Sequence, residues 1–276
     1  MAAAAMHTAA LAPEEIAAYA RDGQLTPAWR LPDDLLARMQ TALARLVALH
    51  APAPPDFIPL PHVAPEHGDA TATALAREFF ELVTHPLLLD LVEPLIGPDI
   101  ILWTSAVFCK PPATGLEVPW HQDGQYWPIR PRATVTAWIA LDDVDAGNGC
   151  MRVIPGSHRM GEFSHARSTR DDLVLNNVLD DPRIDLDRAR DVVLAAGQVS
   201  LHDVDLVHGS QPNTSGRRRA GFAVRYMPAT SRYDRSIDPG QASNSVPLEF
   251  ARRPIWLVRG HDRDGGNDFT TGHTLW

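Results

Sequence analysis

The chain has 276 residues, 45% of them hydrophobic, and carries a formal net charge of −9. That length supports one large core or two modest ones, and the acidic balance argues against a nucleic-acid groove or an anionic membrane surface as partner. The only two cysteines, Cys109 and Cys150, imply no disulfide framework; no apolar run reaches the length of a membrane span, so a soluble, cytoplasmic protein is expected.

The Ala-rich start, residues 1–12, lacks the basic opening and long apolar run of a signal peptide and reads as a disordered leader. Pro13, Glu14 and Glu15 open a helix that Gly23 ends, with proline at the start and glycine after the stop. From Pro32, Leu36, Met39, Leu43, Leu46 and Val47 recur at helical spacing. The stretch "APAPPDFIPLP" is a connector. Leu75, Phe79, Leu82 and Val83, then Leu88, Leu91, Val92 and Leu95, mark two further helices, the second closed by Gly97 and Pro98.

Past residue 98 the character changes. "IILWTSAVFC", "ATVTAWIAL", "MRVI", "VVLAAGQVSLHD" and "AGFAVRYM" are short, rich in β-branched and aromatic residues, and separated by turn formers. Helices followed by strands predict an α+β, mostly β chain: one domain over 13–276, helical to about 98, with a sandwich or barrel core over about 99–260. Residues 160–191 are charged and irregular and read as a long insertion between strands, a candidate lid.

The segment "WHQDGQYW" places His121 and Asp123 two residues apart. On an extended backbone, favoured at Val118 by the proline after it, such side chains share a face. Two histidines and one carboxylate on one face of an octahedron hold Fe(II) and leave positions open for oxygen chemistry. The third ligand is sought in "LHDVDLVHGSQPNTSGRRR". His208, at a strand-to-turn transition, is favoured over His202, which sits within strand-like sequence. Arg217, Arg218 and Arg219 offer a guanidinium that can grip a carboxylate in two parallel bonds, and the chemistry alone does not choose among them.

These residues and their flanks resemble the phytanoyl-CoA dioxygenase family of Fe(II)/2-oxoglutarate-dependent oxygenases, which includes ectoine hydroxylase. The likeness runs from "YARDGQL" through "HPLLLDLVEPLIGPDI", "KPP", "PWHQDGQYWPIRP", "TAWIALDDVDAGNGCMRVIPGSH" and "VHGSQPN", and fades towards "RPIWLVRG". It implies a double-stranded β-helix, a cupin-like jelly roll, with flanking N-terminal helices. It implies that His121, Asp123 and His208 ligate Fe(II). The family's 2-oxoglutarate-binding arginine stands eleven residues after the distal histidine, which here is Arg219. Trp138 and Ser210 match positions that line the co-substrate pocket. An upstream family lysine also contacts the co-substrate, but the alignment there is loose: His62 falls in that region, Lys110 falls in "KPP", and the role is transferred to neither. Asn148, Gly149, Gly156 and His158 match family hallmarks and read as turn residues.

Related halogenases replace the ligand carboxylate with a small residue. Asp123 is retained, so the resemblance implies hydroxylation or a related oxidation, using O2 as second co-substrate and releasing succinate and CO2. Gln125, Tyr126 and Trp127 follow the metal pair and are the candidate contacts to a small-molecule substrate; strand alternation predicts that one of Tyr126 and Trp127 faces the site. Arg170, Arg225 and Arg232 are candidate contacts to an acidic substrate. The competing readings are a zinc hydrolase, since the same ligands suit zinc, and a noncatalytic member of the fold. No nucleic-acid or membrane partner is expected, and the chain is read as a monomer or homodimer.

Overall fold

The structure is a computed structural model that describes residues 10–65, 68–237 and 249–273. Four helices lead the chain. In α1 (Pro13–Asp22) proline occupies the first turn, Ala12 N–H donates to Glu15 Oε2 at 2.9 Å, and Gly23 stops the helix at φ +75°. Helix α2 (Asp33–His50) buries Leu35, Leu36, Met39, Ala42 and Leu43 along one stripe. Helix α3 (Ala70–Val83) is capped by Asp69, which accepts from Ala72 N–H at 2.8 Å, and buries Leu75, Phe79, Leu82 and Val83. Helix α4 (Pro86–Ile96) buries Leu88, Leu89, Leu91 and Val92.

Strands β1 (Gln24–Leu25) and β2 (Ile58–Pro59) lie among the helices. The main series follows: β3 (Ile100–Lys110), β4 (Val118–His121), β5 (Ile129–Arg130), β6 (Val135–Ala140) and β7 (Met151–Val153). After a hairpin of β8 (His165–Arg167) and β9 (Asn177–Leu179) come β10 (Arg190–Val192), β11 (Val199–Asp203), β12 (His208–Ser210), β13 (Arg219–Pro228), β14 (Arg232–Tyr233) and β15 (Trp256–Arg259). The major sheet runs β1-β11-β6-β13-β3-β15, with β2 added to β3, and the minor sheet runs β10-β7-β12-β4. All these pairings are antiparallel, and residues of both sheets line one cavity between them. This is the jelly roll.

Strand alternation decides what goes where. On the back of the major sheet, Val135, Ala137, Ile139, Val199, Leu201, Ala220, Phe222, Val224 and Tyr226 join one core with the helices. Phe222 meets Phe79 edge-on with centroids 5.3 Å apart, and the Tyr226 hydroxyl donates to Val83 O at 2.6 Å. Each of the larger aliphatic and Phe side chains among them contributes about 1.5–3 kcal/mol by leaving water, so this stripe holds the helices to the sheet. The front of the same strands faces the cavity.

Two expectations need correction. Of the expected leader, residues 1–9 lie outside the described residues, whereas Leu11 is buried in the main core and Ala12 is the N-cap of α1. The 160–191 segment is not structureless either. It forms the β8–β9 hairpin, and Arg190 already pairs with Val153 of β7, so the backbone groups there find partners in sheet ladders. None of the described helices is long and apolar enough to cross a membrane.

Candidate active site

Strands β4 and β12 are neighbours, and His121 and His208 stand opposite each other in the ladder. Their rings lie 4.2 Å apart. Gln122 keeps an extended backbone, and Asp123 then opens a short 3-10 turn, Asp123–Gln125, which swings its carboxylate towards both imidazoles. Asp123 Oδ1 is 3.5 Å from His121 Nε2, and Oδ2 is 4.0 Å from His208 Nε2. All three residues are buried, and one ligand atom from each lies within 4.8 Å of the others.

The hydrogen bonds fix which atoms are free. His121 Nδ1 donates to Pro119 O at 2.8 Å, and His208 Nδ1 donates to Leu206 O at 2.9 Å. A carbonyl only accepts, so the ring proton sits on Nδ1 and the Nε2 lone pair of each ring faces Asp123. Asp123 Oδ2 is buried with no hydrogen-bond partner. Three acceptors turned on one another repel unless a cation lies between them. Ligand atoms bound at right angles to one ion, with bonds of about 2.1 Å, lie about 3 Å apart, so a small inward shift suffices. Burial and the neighbouring His121 hold the His208 imidazole down at about 4, so it is neutral at pH 7, the ligating form. Burial alone would raise the Asp123 carboxyl, but it is held down on balance, with the Arg225 guanidinium favouring its ionised form.

His202 stands outside this trio. It lines the cavity from β11 with its ring 4.9 Å from His208. Gln122 faces away from the trio: its amide nitrogen donates to Asp205 O at 2.7 Å and Gly161 O at 3.1 Å, and its oxygen accepts from Phe163 N–H at 2.9 Å. It ties the 160–191 segment to the metal strand.

The other end of the cavity is cationic. Arg219, at the start of β13, is 2% exposed; its Nε donates to Gly149 O at 3.0 Å and its Nη2 donates to Ser210 Oγ at 3.2 Å. Its guanidinium carbon lies 5.6 Å from the Trp138 ring centroid. Burial pulls the guanidinium down to about 10, still protonated at neutral pH. Arg219, Ser210 and Trp138 line the same cavity as the histidines. By contrast, Arg217 pairs with Asp145 and Arg218 with Asp142 at the surface. Close approach is built in: a Cβ at Gly221 would lie 1.9 Å from Trp138 Cζ2. The Asn148–Gly149 turn also serves this end, since Asn148 Oδ1 accepts from Asp145 N–H at 2.8 Å and Gly149 adopts φ +82°, aiming its carbonyl at Arg219. Gly156 likewise adopts a positive φ, +81°, in a turn, and His158 packs against Gly23 at the end of α1, away from the metal trio.

The substrate-side expectations divide. Tyr126 and Trp127 both line the cavity; the 3-10 turn before them breaks the alternation that would have sent one outward. Gln125 is not among the lining residues, because its amide oxygen accepts from Asn177 Nδ2 at 2.7 Å in the β8–β9 hairpin. Arg170 pairs with Glu117 and Asp172 at the surface, whereas Arg225 is buried and lines the cavity. Lys110 and His62 are buried but do not line it. Lys110 Nζ donates to Ser210 O at 3.3 Å and also to Gln211 O, bracing the turn after His208, and His62 Nδ1 bonds Ser105 Oγ at 2.7 Å. Sequence reasoning missed Trp103, Thr104, Phe250 and Arg253 as cavity residues. Arg253 arrives from a segment without periodicity, and nothing in its flanks signals a site.

The sequence profile of the phytanoyl-CoA dioxygenase (PhyH) family matches residues 19–221. The chain is 34% identical over 158 residues to a Stutzerimonas stutzeri protein named probable alpha-ketoglutarate-dependent hypophosphite dioxygenase, covering 54% of this chain and 52% of that one. It is 30% identical over 165 residues to the peroxisomal phytanoyl-CoA dioxygenase of Bos taurus, covering 57% and 48%. The chain thus spans about half the length of these curated relatives. Among solved structures, the epimerase SnoN in complex with Fe3+, alpha ketoglutarate and nogalamycin RO superposes with a TM-score of 0.65 at 25% identity, covering 89% of this chain and 98% of that one. With a family match over most of its length, the chain belongs to the phytanoyl-CoA dioxygenase (PhyH) family.

Proposed function

We propose that the chain is an Fe(II)- and 2-oxoglutarate-dependent oxygenase that hydroxylates, or otherwise oxidises at an unactivated C–H bond, a small molecule. The observation that carries this reading is the buried Asp123 carboxylate, its Oδ2 unpartnered, facing two Nε2 lone pairs in the same cavity as Arg219. His121, Asp123 and His208 hold the iron; the two backbone carbonyls at Pro119 and Leu206 fix the ring orientation and proton position that ligation needs. Arg219 holds the distal carboxylate of 2-oxoglutarate, with Ser210 orienting the guanidinium and Trp138 walling the pocket. Iron and 2-oxoglutarate, when bound, supply the oxidising power, with O2 consumed and succinate and CO2 released. Tyr126 and Trp127 close the cavity beside the metal trio and exclude water from the reacting C–H bond.

Arg219 favours this chemistry over zinc hydrolysis, which has no use for a buried guanidinium aimed at a second acid. We take the enzyme to be cytoplasmic, a monomer or homodimer, with no nucleic-acid or membrane partner. The test is succinate formation from 2-oxoglutarate in air. It should require Fe(II), fail with Zn(II), and show a KM for 2-oxoglutarate raised at least ~10-fold in Arg219→Ala, since a buried charged hydrogen-bonding partner is lost. Hydrolytic activity with zinc and no iron-dependent succinate would overturn it.

A further inference from the structure

Two more cations face the same cavity, and neither hydrogen-bonds to a residue of the metal trio or of the Arg219 end. Arg225 lies on β13 beyond Arg219, on the same alternate face. It is 9% exposed, its Nε is buried without a hydrogen-bond partner, and it acts on the Asp123 carboxylate only through space. Its guanidinium carbon lies 5.2 Å from the Trp127 centroid and 5.8 Å from that of Phe108. Arg253, from the segment before β15, is 6% exposed; its Nε is likewise unpartnered, and Nη1 donates to Thr104 Oγ1 at 3.3 Å. It stacks 5.7 Å over Trp103 and 5.0 Å over Phe250. Trp103 and Trp127 meet edge-on at 4.6 Å, so both guanidinium groups rest on one aromatic pair.

Arginine does not shed its proton at neutral pH, and an unpaired buried cation is costly. Aromatic faces offset part of that cost but supply no acceptors. Two such cations in one cavity are explained if an anion joins them during the working cycle. Arg219 is already assigned, and its donors are directed elsewhere, to Gly149 and Ser210. The walls around Arg225 and Arg253 are aromatic, which suits an apolar body carrying one acidic group.

We propose that Arg225 and Arg253 form the anion subsite for the substrate, which is a small organic acid. Its carboxylate, or a phosphate ester in the same place, rests on the two guanidinium groups, and its apolar body lies against Trp103 and Trp127. That the bound acid is then oxidised rests on the oxygenase reading above; the binding does not.

The experiment titrates the ligand-free full chain calorimetrically with 4-phenylbutyrate, 4-phenylbutanamide and phenyl phosphate. The wild type should bind the acid about tenfold or more tightly than the amide, a gap that Arg225→Met and Arg253→Met each close by weakening acid binding alone. The preference should survive Arg219→Met, and the phenyl phosphate arm decides between carboxylate and phosphate. Equal binding of acid and amide, a preference that persists in both Met variants, or one lost in Arg219→Met alone would each overturn the proposal. Iron-dependent succinate release, measured on the same wild-type preparation, reports separately on the oxygenase reading: its absence would sink that reading and leave the anion subsite to stand or fall on the titration.

Discussion

Strand β13 has two faces with opposite duties. Ala220, Phe222, Val224 and Tyr226 point back into the helices and are buried among apolar neighbours. Arg219, Ala223 and Arg225 point forward and line the cavity. One backbone thus carries the core on one side and charge on the other. The helix-facing side should respond to mutation in stability alone, and the cavity-facing side in ligand binding and turnover.

The largest effect expected lies across the cavity from that strand. His121→Ala or His208→Ala should cut iron-dependent succinate formation at least ~10³-fold, the scale seen when one member of a group acting as a unit is lost. Melting should change little, because the trio makes no apolar core. A variant that stays active would break the metal assignment. On the helix face, Phe222→Ala should cost about 3–5 kcal/mol in denaturant unfolding, by leaving a cavity against Phe79. Its KM for 2-oxoglutarate should match the wild type per folded molecule, and a raised KM would show that the two faces are not separable.

Smaller substitutions sharpen the contrast. Gly221→Ala pushes a methyl into Trp138 and should cost about 1–3 kcal/mol as overpacking. Because Trp138 walls the Arg219 pocket, the KM for 2-oxoglutarate should rise as well, unlike in Phe222→Ala. Ser210→Ala removes one hydrogen bond to a charged donor, and the KM for 2-oxoglutarate should rise about tenfold with stability nearly unchanged.

A separate effect is on pH dependence. Burial, with Arg253 nearby, pushes the His62 imidazole down to about 3. The unfolded chain takes up that proton near pH 6.5, the folded chain only near 3. The contribution of His62 to stability is therefore complete above about pH 6.5 and is lost progressively as pH falls towards 3. His62→Gln should flatten the fall of Tm across that window; an unchanged slope would contradict it.

Much of this division is readable in the sequence. The run "AGFAVRYM" alternates large apolar residues with small or charged ones, which is the pattern of a strand with a core face and a second face. The His-x-Asp spacing and the later histidine mark the metal trio. Arg219 was distinguished from its two neighbours only by the family resemblance; in three dimensions the distinction is that Arg217 and Arg218 find surface aspartates. Periodicity failed where the backbone leaves the strand. The 3-10 turn at Asp123–Gln125 admits Tyr126 and Trp127 together and turns Gln125 towards the hairpin. Arg253 was illegible because its neighbours, Trp103 and Thr104, come from a strand some 150 residues earlier. The roles of Lys110 and His62 were hidden for the same reason: their partners, Ser210 and Ser105, are brought to them by the sheet.

The central claim is that the trio and Arg219 hold iron and 2-oxoglutarate in one cavity. The most direct measurement is the visible difference spectrum on adding 2-oxoglutarate to the Fe(II)-loaded protein without oxygen. A weak metal-to-ligand charge-transfer band should appear in the wild type, vanish in His208→Ala, and require more 2-oxoglutarate in Arg219→Ala. A folded wild-type protein that gives no band, or a band that survives His208→Ala unchanged, would contradict the account.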